Sequence, residues 1–155
     1  MHEWDYEPPG EAVKSKAIYT PIETPCGMLR GRTDIWLGDV HLVDRVLTLE
    51  VDIRSNRPNR DAIPFDMVFH GVVGLKITEL DVWGENPESR HSKGGFEEVT
   101  GSAMLASIAF RFEGWRHFAV MTYDDVFDIV AERYEFFDVT PTPEERMKAA
   151  QEHEG

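Results

Sequence analysis

Leu47-Thr48-Leu49-Glu50-Val51-Asp52-Ile53-Arg54 is the stretch that decides the fold class. Its apolar residues (Leu47, Leu49, Val51, Ile53) alternate with polar ones (Thr48, Glu50, Asp52, Arg54). Successive side chains of a strand point to opposite faces, so this period of two predicts a strand with one face in the core and one in water. The strand should end in the turn-rich segment Ser55-Asn56-Arg57-Pro58-Asn59-Arg60-Asp61.

Further strands are expected on either side. Residues 66–83 are rich in Val, Phe, Ile and Leu, and Gly71 and Gly74 within them mark a bend, a bulge or a close backbone approach. Residues 84–101 read as a long polar loop with a short strand at Phe96–Val99. Met104–Phe112 and Trp115–Thr122 read as a hairpin turning at Glu113-Gly114. In that register Phe110 faces His117 and Arg111 stands opposite Arg116. Asp124–Val139 fits either period: Val126, Phe127, Val130, Tyr134 and Phe137 have helical spacing, while the residue types favour strand, most of all in the second half. Pro8-Pro9-Gly10 makes residues 1–11 an irregular arm. Thr142-Pro143-Glu144-Glu145 is a capping box with Pro at the first helical position, which opens a polar helical tail over 141–155.

Strands and hairpins without the spacing of βαβ units predict a mainly β chain: an antiparallel curled sheet, a sandwich or a partly open barrel, with a short C-terminal helix. A chain of 155 residues with 41% hydrophobic and 11% aromatic residues is the size and composition of a single domain, 1–155, with a packed core.

Charge narrows the function classes. The chain carries 16 basic and 29 acidic residues, a formal net charge of −13, and each third leans acidic. Nucleic-acid binding draws on basic groups that neutralise phosphates, so no nucleic-acid partner is expected. An anionic membrane surface would also repel the chain, and no apolar run approaches the length of a membrane span. A basic protein, by contrast, would be steered toward it. Met1–Glu7 lacks the basic flank and apolar stretch of a secretory signal, and Cys26 is the single cysteine, so a reducing, cytoplasmic setting is expected.

Motifs of catalysis are sparse. The sequence has no glycine-rich phosphate loop, no His-Glu-x-x-His and no nucleophile elbow, so no catalytic residue, metal ligand or cofactor is assigned. His41 with Asp44 is one pair without the further ligands a metal needs. Asp124, Asp125, Asp128 and Glu132 form the densest carboxylate group and the candidate surface for a basic partner, with Trp36 or Trp83 as aromatic anchors. Arg111, Arg116 and His117 form the alternative site. Arginines opposed across a hairpin need neutralising, and a bound anion would do so beside an imidazole able to act as a base. Arg54, Arg57 and Arg60 make one further basic group, read as a solubilising turn.

Gly-Val-Val-Gly-Leu at 71–75, Phe-Glu-Gly-Trp-Arg-His-Phe at 112–118 and Tyr-Asp-Asp-Val-Phe-Asp-Ile-Val at 123–130 resemble small bacterial mainly-β families of uncharacterised function. Some of these families are grouped with the immunity proteins of polymorphic toxin systems. The resemblance spans about the last two-thirds of the chain and carries over no functional residue. It implies curled antiparallel strands and a function by binding rather than turnover. Together with the charge and the missing catalytic motifs, the expectation is an acidic, non-enzymatic binding protein, of the immunity type, that inhibits a basic partner. The alternative is a small-molecule enzyme or anion-binding protein built on His117 with Arg111 and Arg116.

Overall fold

The computed structural model describes residues 17–54 and 62–154. Among the described residues nine strands form two antiparallel sheets: β1 (Ile18–Pro21), β2 (Ile35–Val43), β3 (Val46–Arg54), β4 (Ala62–His70), β5 (Gly74–Glu79), β6 (Phe96–Thr100), β7 (Arg116–Met121), β8 (Asp125–Ala131) and β9 (Arg133–Asp138). One sheet has the order β1-β6-β7-β8-β5 and the other β2-β3-β4-β9, and they do not close into a barrel. The expected mainly β architecture is therefore the observed one.

β3 carries out the alternation of its sequence. Leu47, Leu49, Val51 and Ile53 are all buried, while Glu50, Asp52 and Arg54 are exposed. β4 pairs along its whole length and adds Phe65, Met67 and Phe69 to the same side. Facing them from the other sheet are Phe96, Phe118, Val120, Phe127 and Ile129, so one apolar cluster spans both sheets. Phe69, Phe96, Phe118, Tyr134 and Phe136 meet there ring to ring, mostly edge-on or tilted, the arrangements that ring quadrupoles favour.

Two strands cross between the sheets side by side. β4 passes into β5 through Gly71-Val72-Val73, and β8 passes into β9 through Glu132, while β4 pairs with β9 and β5 with β8. Hydrogen bonds carry the ladder round the corner: Glu132 N–H donates to His70 O at 2.8 Å and Val73 N–H to Val130 O at 2.9 Å. Gly71 takes φ +67° here, and Trp115 Nε1 donates to its carbonyl at 2.7 Å. The bend expected at Gly71 is real. Gly74 answers to the other expectation, close approach, since a Cβ there would lie 2.9 Å from Ile108 Cδ1. Within the ambiguous segment 124–139 no helix forms: Asp125–Ala131 and Arg133–Asp138 are strands, separated at that corner.

The expected hairpin at Glu113-Gly114 is not formed. Residues Ala103–Ala109 are a helix, α2, which follows the short helix α1 (Leu80–Gly84). Ser102 caps α2 by accepting from Leu105 N–H at 3.0 Å, and Ala, Met and Leu in its first turn are strong helix formers. That combination outweighs the apolar run that also suits a strand. Gly114 still turns the chain, with φ +90°, but between a helix and β7. Arg111 therefore does not stand opposite Arg116, nor Phe110 opposite His117. The stretch 84–101 is also more ordered than a loop: a 3₁₀ turn at Pro87–His91 precedes β6, which holds the expected strand at Phe96–Val99.

The tail forms a helix, α3 (Pro143–Glu154), with Thr142 Oγ1 accepting from Glu145 N–H as the capping box predicts. Among the described residues no helix is long and apolar enough to cross a membrane. The arm 1–11, Arg57 and Arg60 lie outside the described residues.

Glycine separates two kinds of position. Gly95 has φ +77° and lies where a Cβ would be 2.7 Å from the Leu29 backbone, whereas Gly84 has open space around it. Gly95→Ala is expected to cost at least about 1–3 kcal/mol from left-handed strain alone, and Gly84→Ala to stay within about 0.5 kcal/mol of wild type. Urea unfolding of both variants measures the contrast.

Candidate functional sites

The five-stranded sheet is buried on both faces at its central strands β7 and β8. Its outer face carries Tyr19 (β1), Val99 (β6), His117 and Ala119 (β7), and Val126 and Asp128 (β8), and is roofed by α1, the 3₁₀ turn and α2. The roof leaves a cavity of about 230 Å³ lined by Tyr19, Lys76, Trp83, Glu88, Met104 and the three polar residues Ser102, His117 and Asp128, among others.

Those three form a line of hydrogen bonds. Ser102 Oγ lies 2.7 Å from His117 Nδ1, and His117 Nε2 lies 2.8 Å from Asp128 Oδ1. Ser102, His117 and Asp128 are only 3%, 4% and 8% exposed. The sheet register explains the second contact. His117 is directly opposite Val130, so Asp128, two residues away on β8, is its diagonal neighbour on the same face. The helix cap explains the first, because capping fixes the Ser102 oxygen over the end of β7. A neutral His117 with its proton on Nε2 satisfies every partner: Nε2–H donates to Asp128, and Ser102 O–H donates to Nδ1.

Nearby, the Tyr19 hydroxyl donates to Glu88 Oε2 at 3.4 Å. Burial pushes the Tyr19 phenol well above its ordinary pKa, and Glu88, Asp128 and Glu97 push it further the same way. It therefore stays protonated and remains a donor. Glu97 is itself 1% exposed and holds the adjoining loop, accepting from Ser92 Oγ at 2.5 Å and from Lys93 N–H at 3.0 Å.

The residues singled out by sequence are dispersed. Asp128 belongs to the buried line just described, whereas Asp124 is exposed and Asp125 half-buried at one end of β8. Glu132 lies exposed at the corner beyond the other end, about 20 Å from Asp125 by strand rise. The four do not form one patch. Arg116 points to the inner side, where Nε and Nη2 bind Glu98 at 3.0 and 2.6 Å, and this bidentate bond holds its guanidinium above the usual range. His117, next in sequence, points to the outer side, and Arg111 is exposed after α2. Neutralisation of Arg116 thus comes from Glu98, and the three do not converge. Trp83 is buried. Trp36 stacks on Tyr123 at 4.1 Å, with Arg54 5.1 Å from its ring centre and Arg32 4.5 Å from that of Tyr123. Cys26 is half-buried against the core.

The four-stranded sheet leaves its outer face uncovered by any described helix. Asp39, Glu50 and Asp66 lie in register across β2, β3 and β4, with Asp52 beside them. Pro64, Asp66, Glu50 and Asp52 line a shallow depression of about 200 Å³. His41 joins this row instead of pairing with Asp44, which turns the β2–β3 hairpin with φ +50°. Its Nε2 meets Glu50 Oε2 in a short contact and lies 3.5 Å from Asp39 Oδ2. Asp39, His41 and Glu50 have metal-like spacing. The bond to Glu50, however, raises the His41 pKa, which favours the imidazolium and opposes ligation of a cation.

Sequence reasoning did not bring Ser102 or Glu97 forward, and it left His117 and Asp128 in separate groups. A signal was present for Glu97, His117 and Asp128, since each is a polar residue inside an apolar strand run, which calls for a buried partner, and Ser102 precedes an apolar run as a helix cap does. Comparison with protein-family models, with curated proteins and with solved structures finds no match to the chain.

Two measurements follow from this geometry. Asp128→Ala strands the His117 N–H in the interior and should cost about 1–3 kcal/mol, with Asp128→Asn costing less because an oxygen acceptor remains. Urea unfolding distinguishes them. A His pKa raised by folding stabilises most fully below the unfolded value and loses that effect as pH rises through the folded value. Proton NMR should show His41 titrating above its ordinary value and returning toward it in Glu50→Gln.

Proposed function

We propose that this chain is an acidic binding protein, an immunity-type inhibitor that recognises a basic protein through the face of its four-stranded sheet that no described helix covers. The observation that carries this reading is the row Asp39–Glu50–Asp66 across three adjacent strands. Like charges directly opposed on a sheet are unfavourable by up to about 1 kcal/mol per pair. His41 offsets part of that repulsion at one end of the row, and a cationic partner would relieve the rest. The net charge of −13 adds long-range steering of such a partner, weakening as salt rises. The same charge disfavours nucleic acid and anionic membrane as partners. The reading places the protein in the cytoplasm, in keeping with its single cysteine.

The test compares the immobilised wild type with an Asp39→Asn/Glu50→Gln/Asp66→Asn variant in lysate of the native host, at low and high salt, with mass spectrometry of the eluate. The reading expects a basic protein held by wild type at low salt, released at high salt, and lost by at least about tenfold in the triple variant. Retention that survives the triple variant but not Asp124→Asn/Asp125→Asn would move the surface to the end of β8. Absence of any retained basic protein under either condition overturns the reading.

A further inference from the structure

On the opposite side of the molecule, the roofed cavity holds a different chemistry. We infer that Ser102, His117 and Asp128 are a nucleophile, base and carboxylate in line, and that the cavity hydrolyses small carboxylic esters.

The inference rests on order and enclosure. A hydroxyl, an imidazole and a carboxylate follow one another at 2.7 and 2.8 Å, come from three different elements, and all line one cavity. This is the role sequence by which serine hydrolases are recognised whatever their fold. The ring nitrogens are exchanged relative to the common arrangement, with serine on Nδ1 and carboxylate on Nε2. The chemistry tolerates this, because the base needs only one free lone pair and a carboxylate holding the opposite N–H. Helix capping alone would account for Ser102, and pairing alone for Asp128. Neither accounts for both lining a cavity beside a buried imidazole.

The step balances with water as the one co-reactant. Ser102 Oγ attacks the carbonyl carbon and forms a C–O bond while its proton passes to His117 Nδ1. The imidazolium is held by Asp128 through Nε2–H. The ester C–O bond then breaks, and the leaving alcohol takes the proton from Nδ1. Water repeats the sequence on the acyl-serine, giving the carboxylic acid and restoring Ser102. Lys76, the one lysine or arginine among the lining residues, brings a positive charge to the cavity wall. A volume of about 230 Å³ walled by Trp83 and Met104 suits a short acyl chain.

The experiment treats the full chain with a fluorophosphonate probe and maps the adduct by peptide mass spectrometry. In parallel, p-nitrophenyl acetate hydrolysis is followed for wild type, Ser102→Ala and His117→Gln, each checked for folding by circular dichroism. The inference expects one adduct, on Ser102, and a fall in hydrolysis of at least about 100-fold in both variants. Folded wild type with no adduct on Ser102 overturns it, and so does hydrolysis at the wild-type rate in Ser102→Ala. Mapping on wild type needs no variant, so misfolding of either substitution leaves the test decisive.

Discussion

The corner at which two neighbouring strands leave one sheet for the other governs the rest of the molecule. β4–β5 and β8–β9 turn together, so each hydrogen-bonded pair is preserved through the bend, and the two sheets are held at a fixed separation by covalent chain. Only a residue tolerant of positive φ can sit where Gly71 does, and a Cβ there would also press on the Glu132 side chain and the Trp115 indole. With that corner set, the inner faces meet across one layer of Phe rings. The outer faces are left to different fates, one roofed and one free of any described helix.

How much of this the sequence discloses depends on whether a feature is local. β3 is fully legible, because a half-buried strand prints its period on its residues. The capping box of α3 and the bend at Gly71 are legible for the same reason. α2 is not. Met104, Leu105 and Ile108 are apolar residues that fit either element, and the deciding contact is the Ser102 cap with the close approach of the helix to Gly74. β7 and β8 are buried on both faces, so they lack alternation, and the sense in which His117 and Asp128 point cannot be read from period.

The candidate sites illustrate the same limit. Ser102 and His117 are 15 residues apart and His117 and Asp128 are 11 apart, and they meet only through the helix cap at Ser102 and the register of β7 on β8. The acidic row on the four-stranded sheet draws one carboxylate from each of three strands, so no run of charge announces it. The run that does stand out, from Asp124 to Glu132, is spread by strand geometry over both ends of β8 and one buried position between.

Chain order has a consequence for how the protein is made. β2, β3 and β4 form a meander that a ribosome would release before the other strands of the two sheets save β1, yet the fourth strand of that sheet is β9, the last of the described strands. β1 is released before any of these and finds its neighbour only when β6 has emerged. Both sheets therefore wait for the C-terminal third before either is complete, and loop closure over such separations is slow. Until then the apolar side of the early meander has no opposing layer, so the nascent chain exposes apolar surface that the finished form buries.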